Sequence, residues 1–404
     1  MTNKFKIYYT NCDCFTKSKI NDLEVMNKLT KPNIICLTEV LPKNSILTYT
    51  EEMYTLHGYT LVKSHLKGRG ICLYCNPSLK YNVIDIPEFD EAVGCEFFSK
   101  DEEVLLVILC YRSPNSSLNN DGKLLNLLSI MSTRHYNNIV ILGDFNYKSI
   151  NWQLKISNPV TPSTTLFLEK INDLFLEQLV SEPTRFREGQ RSNILDLVLC
   201  NDIYFIDSID YCEPLGCSDH ISMLIYLNFE QNGSSFNSKR MYYNGDYVSI
   251  KKYLGEINWN TELNLLNTQQ SWDLFNKTVD FAIDKFIPLC DKPRTGKQWC
   301  NANVKARSKE KRNSWSKLWK IIKSNRSHIP VAQIDTSTSV AEWNTSRNIS
   351  TKCSDDARIA HEKKIIAHCK DNPKTFWSYV KSKTKKPGDV SSLLNPEGQL
   401  SHNK

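Results

Sequence analysis

Asn138-Ile139-Val140-Ile141-Leu142-Gly143-Asp144-Phe145-Asn146 is the stretch whose reading decides the fold. Ile139 to Leu142 is an unbroken apolar run of strand length, rich in β-branched side chains. Such a run reads as a strand buried on both faces. It stops at Gly143, and Asp144 and Asn146 follow two residues apart, so both can face one pocket beyond the strand end. There an Asp can take a proton from water, and an Asn can hold that water or a phosphate oxygen. A turn closed by an Asx hydrogen bond is the structural alternative.

The same arrangement recurs to either side. Asn33-Ile34-Ile35-Cys36-Leu37 ends at Thr38-Glu39, and the run from Val104 ends at Tyr111-Arg112-Ser113-Pro114. The β-rich run Phe5 to Tyr9 leads into Asn11-Cys12-Asp13. Further strands are predicted over 59–63, 71–75, 92–98, 194–200, 204–210 and 221–227. Helices are predicted over 20–29, 124–131 and 164–179 from apolar residues at helical spacing. Alternating strands and helices predict an α/β fold with polar groups at strand ends, where catalytic residues are usually placed.

Two further stretches carry chemistry. Asp196 lies inside Ile194-Leu195-Asp196-Leu197-Val198, where a carboxylate is costly unless paired. Ser218-Asp219-His220 supplies a candidate partner, since a His held by a carboxylate can stabilise charge developing on a phosphoryl oxygen. A satisfied core Asp is the alternative. Glu39, with Asp13 and Asn11, offers hard oxygen ligands suited to Mg²⁺, and Tyr111 could donate to a phosphate.

The 404-residue chain has room for two or three domains. Its net charge of +7 hides an asymmetry. Residues 1–228 hold 21 basic and 27 acidic side chains, and residues 229–404 hold 30 and 17. An acidic front suits a divalent cation and a basic back suits a polyanion; a solvated helical surface is the plain alternative for the latter. The 14 cysteines are scattered, with a lone C-x-x-C at Cys72 and Cys75, which predicts free thiols rather than a zinc site or disulfides. No apolar stretch reaches membrane-spanning or signal-peptide length, so an intracellular protein without membrane contact is expected.

Beyond Phe229 the character changes. Gln231 to Ser235 signals a linker, and helical stretches with Trp259, Trp272, Phe275, Phe281 and Phe286 follow. Lys305 to Lys323 reads as a basic amphipathic helix carrying Lys305, Arg307, Lys309, Lys311 and Arg312. Residues 325–350, rich in Ser, Thr and Asn, are expected to be loose. A last helix holds Phe376, Trp377, Tyr379 and Val380 before the basic run Lys381 to Lys386.

In their order along the chain, Asn11, Glu39, Tyr111, Asp144-Phe145-Asn146, Asp196 and Ser218-Asp219-His220 resemble the endonuclease/exonuclease/phosphatase superfamily. The resemblance implies a DNase I-like four-layer α/β sandwich over residues 1–229, followed by a basic, mostly helical segment over 230–404. It implies Mg²⁺, with Mn²⁺ as the alternative, held by Glu39, Asp13 and Asn11. It implies Asp144 acting on the attacking water with Asn146 as helper, and His220 on the phosphate, oriented by Asp196. Asp219 and Tyr111 would support them.

Asn151-Trp152, Thr184-Arg185, Asn193 to Leu199 and Arg69 to Tyr74 are similar, more narrowly, to the endonuclease of LINE-type, non-LTR retrotransposons. That likeness implies single-strand nicking of DNA, with Arg112, Arg185, Ser192 and the basic helix on the nucleic acid. It implies the element's RNA as a second partner of the basic region, and action in the nucleus on genomic DNA, otherwise in the cytoplasm. The basic region and its closing Leu-Asn-Pro-Glu-Gly are similar to the segment that joins such an endonuclease to its polymerase. No Tyr/Phe-x-Asp-Asp motif is present, so the chain reads as truncated before a reverse transcriptase. A non-catalytic nucleic-acid-binding remnant, a phosphatase and an abasic-site repair endonuclease of the same superfamily are the competing readings.

Overall fold

The computed structural model describes residues 4–44, 47–87, 89–99, 103–133, 136–187, 192–230, 239–240, 245–264, 266–287, 289–290, 299–324 and 337–370, with 373, 376, 377, 379 and 380. Residues 231–235, 381–386 and 394–398, named above, lie outside them.

The strands run in the order β1 Phe5–Asn11, β2 Ile34–Thr38, β3 Thr60–His65, β4 Ile71–Cys75, β5 Tyr81–Ile84, β6 Ala92–Phe98, β7 Val104–Tyr111, β8 Asn138–Asp144, β9 Ile150–Asn151, β10 Ile156–Ser157, β11 Glu177–Gln178, β12 Asp196–Cys200, β13 Ile206–Cys212 and β14 Ser222–Leu227. Between them come the helices α1 Lys17–Thr30, α2 Leu118–Thr133 and α3 Pro162–Asp173. Two mixed six-stranded sheets result, ordered β13-β14-β1-β2-β4-β3 and β11-β12-β8-β7-β6-β5.

Strand alternation builds the layers. Phe5, Ile7 and Tyr9 of β1 meet Val198 and Cys200 of β12 and Val140 and Leu142 of β8 in the core between the sheets. The opposite faces of these strands turn outward: Tyr8 packs with Leu23 of α1, and Leu197 and Leu199 pack with α2 and α3. Helix, sheet, sheet and helices therefore stack as the expected four-layer sandwich.

The register gathers one edge. β1 and β2 are parallel, with Asn11 beside Thr38. β7 and β8 are parallel, with Tyr111 beside Asp144. β12 runs antiparallel to β8 and sets Asp196 opposite Asp144. β14 runs antiparallel to β1, which brings the residues preceding it to the same edge. Gly143 makes this close approach possible. Its φ is 151°, and a Cβ there would lie 1.8 Å from the Cys110 carbonyl oxygen.

Two helix expectations need correcting. The helix predicted over 164–179 ends at Asp173, because Phe175 is left-handed at φ 54° and Glu177–Gln178 pair with β12 instead. Of residues 325–350, expected to be loose, 325–336 lie outside the described residues and 337–350 begin the continuous helix α8, Ser337–Ala367. Their Ser, Thr and Asn residues are weak helix formers, yet Trp343, Ser350 and Ser354 are buried, and tertiary packing overrides propensity.

The chain forms two compact units, residues 1–232 with 297–404, and residues 233–296. The larger unit includes α8 and α7 (Ala302–Ser324). α7 buries Val304, Ser308, Lys311, Trp315 and Leu318, a seam at seven-residue spacing. Val304 joins Val25 of α1 and Trp299 in one cluster. The smaller unit holds α4 Tyr247–Gly255, α5 Trp259–Leu263, α6 Thr268–Phe286 and a short pairing of β15 Lys239–Arg240 with β16 Leu289–Cys290. In it Tyr253 packs on Phe281 and Phe286. No helix among the described residues is long and apolar enough to cross a membrane.

Gly143→Ala should destabilise the larger unit by roughly 3 kcal/mol or more, since strain and a backbone clash act together. Thermal unfolding of the purified chain measures this; a near-wild-type midpoint would contradict the register described.

Candidate active site

Asp196 is fully buried, and its two oxygens have different partners. Oδ1 accepts from the Tyr9 hydroxyl at 2.5 Å, and Oδ2 lies 2.7 Å from His220 Nδ1. Its backbone N–H donates to Thr184 Oγ1 at 3.0 Å. His220 Nε2 points away from this pair, 3.9 Å from Asp219 Oδ1. Burial works against a charged His220, but the carboxylates of Asp196, Asp144 and Asp219 together outweigh it and raise the imidazole pKa to about 9.

Asp144 sits beside them. Its Oδ2 accepts from Asn11 Nδ2 at 3.0 Å and its Oδ1 from the Asn146 backbone N–H at 3.2 Å. Burial, then the like charge of Asp196, raises the Asp144 carboxyl well above its usual range. Asp144, Asp196 and His220 offer ligand atoms all within 4.8 Å of one another, a cluster able to hold a metal ion.

A second carboxylate pair lies at the ends of β1 and β2. One Arg69 nitrogen, Nη2, is 2.8 Å from Asp13 Oδ1 and 2.5 Å from Glu39 Oε2. Two carboxylate oxygens thus converge on one cationic point, as a hard-oxygen site for a divalent ion requires. Glu39 Oε1 accepts from the Tyr111 hydroxyl at 2.9 Å. The Asn11 side-chain oxygen accepts from the Asp13 backbone N–H at 3.0 Å. Burial, followed by the charge of Glu39, raises the Tyr111 hydroxyl pKa far above its ordinary value, so it stays a donor. Asp13, Glu39 and Asn146 all have positive φ, at 37°, 50° and 55°. Strained non-glycine backbone of this kind concentrates at functional sites.

All the residues expected to act in catalysis or hold metal therefore lie on one edge. Asn146 also braces the site, since its Nδ2 donates to the Arg112 carbonyl at 2.9 Å. The expected nucleic-acid contacts divide. Arg185 is at the site, 3.0 Å from Asp219 Oδ2, and Ser192 is half-buried in the adjoining loop. Lys305 and Lys309 are exposed on α7, and Arg307 is ion-paired with Glu310.

Arg112 and Lys311 do not fit the expectation. Arg112 is buried, forms a two-point pair with Asp121 at 2.7 and 2.9 Å, and stacks over Tyr147. Lys311 is buried with Asp22 at 3.7 Å. Arg312 is only partly exposed, with a buried Nε. On a packed helix the inward side chains answer to the protein's own carboxylates, whatever the charge of the run. Tyr9 escaped the sequence reading, and Arg69 and Thr184, named only within the retrotransposon-like stretches, were given no role in the site. Tyr9 shares the inward face with Phe5 and Ile7 and resembles any core aromatic, whereas Arg69 directly before Gly70 was a usable signal.

Residues 105–224 match the family described as endonuclease-reverse transcriptase. That segment holds Tyr111, Asp144, Asn146, Asp196, Asp219 and His220, while Asn11, Asp13, Glu39 and Arg69 precede it. The larger unit has two mixed six-stranded sheets flanked by helices, with an Asp-Asp-His cluster at their shared edge. Similar solved structures include the endonuclease domain of TRAS1, a telomere-specific non-LTR retrotransposon. It is 16% identical over 56% of this chain and all of its own, with a TM-score of 0.43. An AP endonuclease from Leishmania major is 12% identical over 55% of this chain and 87% of its own, with a TM-score of 0.45. A 3′ phosphatase from Neisseria bound to a product DNA hairpin is 13% identical over 56% of this chain and all of its own, with a TM-score of 0.41. No curated protein matches the chain.

Arg112→Ala should cost roughly 3–5 kcal/mol, because it leaves Asp121 buried without its cation. Denaturant unfolding checks this; unchanged stability would show that the Arg112–Asp121 pair does not hold the fold and would leave Arg112 open to a ligand.

Proposed function

We propose that this chain is a Mg²⁺-dependent DNA endonuclease of retrotransposon type that nicks one strand. The observation that carries the reading is the shared edge: a proton-accepting carboxylate, an imidazole held by a buried carboxylate and a cation-ready carboxylate pair. Glu39, Asp13 and Asn11 would hold Mg²⁺. Bound there, the ion would offset charge on the phosphoryl oxygens.

The chain's own residues supply the rest. Asp144, whose burial raises its proton affinity, orients the attacking water and accepts its proton. His220 stays protonated at neutral pH and donates from Nε2 to a phosphoryl oxygen, while Asp196 fixes its ring through Nδ1. The Tyr111 hydroxyl, now on Glu39, would donate to the phosphate when Glu39 holds the metal. Water bonds to phosphorus in line as the bond to the 3′-oxygen breaks, and that oxygen takes a proton from solvent, leaving a 3′-hydroxyl and a 5′-phosphate. Arg185 and the exposed face of α7, with Lys305, Lys309, Lys317, Lys320 and Lys323, would track the backbone of DNA or of the element's RNA. Action on genomic DNA would put the protein in the nucleus, and otherwise it would act in the cytoplasm.

Purified protein should convert supercoiled plasmid to open circles only with Mg²⁺ or Mn²⁺. Asp144→Ala and His220→Ala should each slow this roughly 10²-fold or more while the fold persists. Replacing Lys305, Lys309 and Lys320 by Ala should reduce the salt slope of DNA binding by up to about three units, near one per phosphate contact. A folded, DNA-binding protein that never nicks would sink the endonuclease reading, and one that releases phosphate from small esters would replace it with a phosphatase.

A further inference from the structure

His220 is held by more than Asp196. It lies in a short segment before β14 that is fastened to a second segment running from Thr184 to Phe186. The Phe186 N–H donates to the Asp219 carbonyl and the Ile221 N–H to the Thr184 carbonyl, each at 2.8 Å. Arg185 and His220 form an isolated antiparallel bridge, and the Arg185 guanidinium pairs with Asp219. Thr184 also receives the backbone N–H of Asp196. These two segments carry the His, its neighbouring carboxylate and the cap on its partner, yet neither belongs to a strand of the sheets.

What covers them comes from far along the chain. Ile221, fully buried, packs in one cluster with Trp315 and Leu318 of α7 and Trp343 of α8, joined by Phe186, Tyr211 and Trp319. The rings form a relay. Trp343 is 5.2 Å from Trp315, Trp315 is 5.7 Å from Trp319, and Trp319 meets Phe186 edge-on at 5.9 Å and Tyr211 at 5.8 Å. Trp319 is thus the ring that meets Phe186, and Trp343 stands two rings behind it. Edge-to-face contact fixes the angle of a ring as well as its distance. Phe186 in turn fixes the peptide that bonds to Asp219.

We propose that Trp319 on α7 is a positioning residue for the nuclease centre, holding Phe186 so that the 184–186 and 219–221 segments keep His220 in register with Asp196. The basic helix then does more than attract nucleic acid, because its tryptophan face forms part of the frame on which the phosphate-facing imidazole sits. This rests on the nuclease reading above. Misplacement of a reacting group by about 1 Å costs on the order of 10²-fold in rate, so loosening this contact should appear in turnover before it appears in binding.

The test uses the full chain with Trp319→Ala, Trp319→Phe and Trp343→Ala. Plasmid nicking gives kcat and KM, thermal unfolding gives stability, and hydrogen exchange follows the amides of Phe186 and Ile221. Trp319→Ala should lower kcat roughly tenfold or more at near-constant KM and expose both amides to exchange. Trp319→Phe should restore kcat to within about twofold. Trp343→Ala should lower the melting temperature at least as much while sparing kcat and the Phe186 amide. Activity loss that follows melting temperature across all three variants, a change in KM alone, or unchanged exchange in Trp319→Ala would overturn the proposal. If the wild type does not nick, the nuclease reading fails by itself, and the exchange result still decides whether Trp319 braces these segments.

Discussion

The structure depends on pairing one carboxylate that has no access to water. Asp196 opens β12 in one sheet, receives the hydroxyl of Tyr9 from β1 in the other, and faces the imidazole of His220. A buried carboxylate without partners costs several kcal/mol, and removing one partner of a buried pair is worse than never having it. The two sheets therefore cannot slide past each other without stranding Asp196. The same bonds that fasten the sandwich leave His220 with one nitrogen engaged and the other turned outward.

Around that hub, local strain is held in place by the rigid sheets. Gly143 permits β8 to approach Cys110 more closely than any other residue could. Asp13, Glu39 and Asn146 stand in left-handed backbone just past the strand ends. Each aims a polar group across the edge where four strands finish and two segments return. Arg69 fits the same economy of charge: it keeps Glu39 and Asp13 together where their mutual repulsion would otherwise part them.

Much of this was legible in the sequence because burial writes a local signature. β8 and β2 are unbroken apolar runs ending in a polar residue, and Asp196 stands out as a charge within such a run. What was not legible depends on partners far along the chain. Tyr9 meets Asp196 across 187 positions, so nothing near Tyr9 separates it from a packing aromatic. Arg112 looked like a phosphate ligand until Asp121 and Tyr147 were placed around it. Residues 337–350 looked loose because their helix is stabilised by its neighbours rather than by its own composition. The basic run of α7 was visible as charge, but the division between exposed lysines and the buried Lys311 required the helix to be docked.

The most direct test of the central claim is single-turnover nicking by Asp196→Asn in the full chain with Mg²⁺. The amide keeps the volume of the carboxylate and can accept from Tyr9 or from His220, but it presents N–H groups to the other and carries no charge to hold the imidazole. The nicking rate should fall roughly 10²–10⁴-fold, with DNA affinity close to wild type. A variant that nicks at the wild-type rate would show that the Asp196–His220 pair is only a buried structural contact, and would contradict the account.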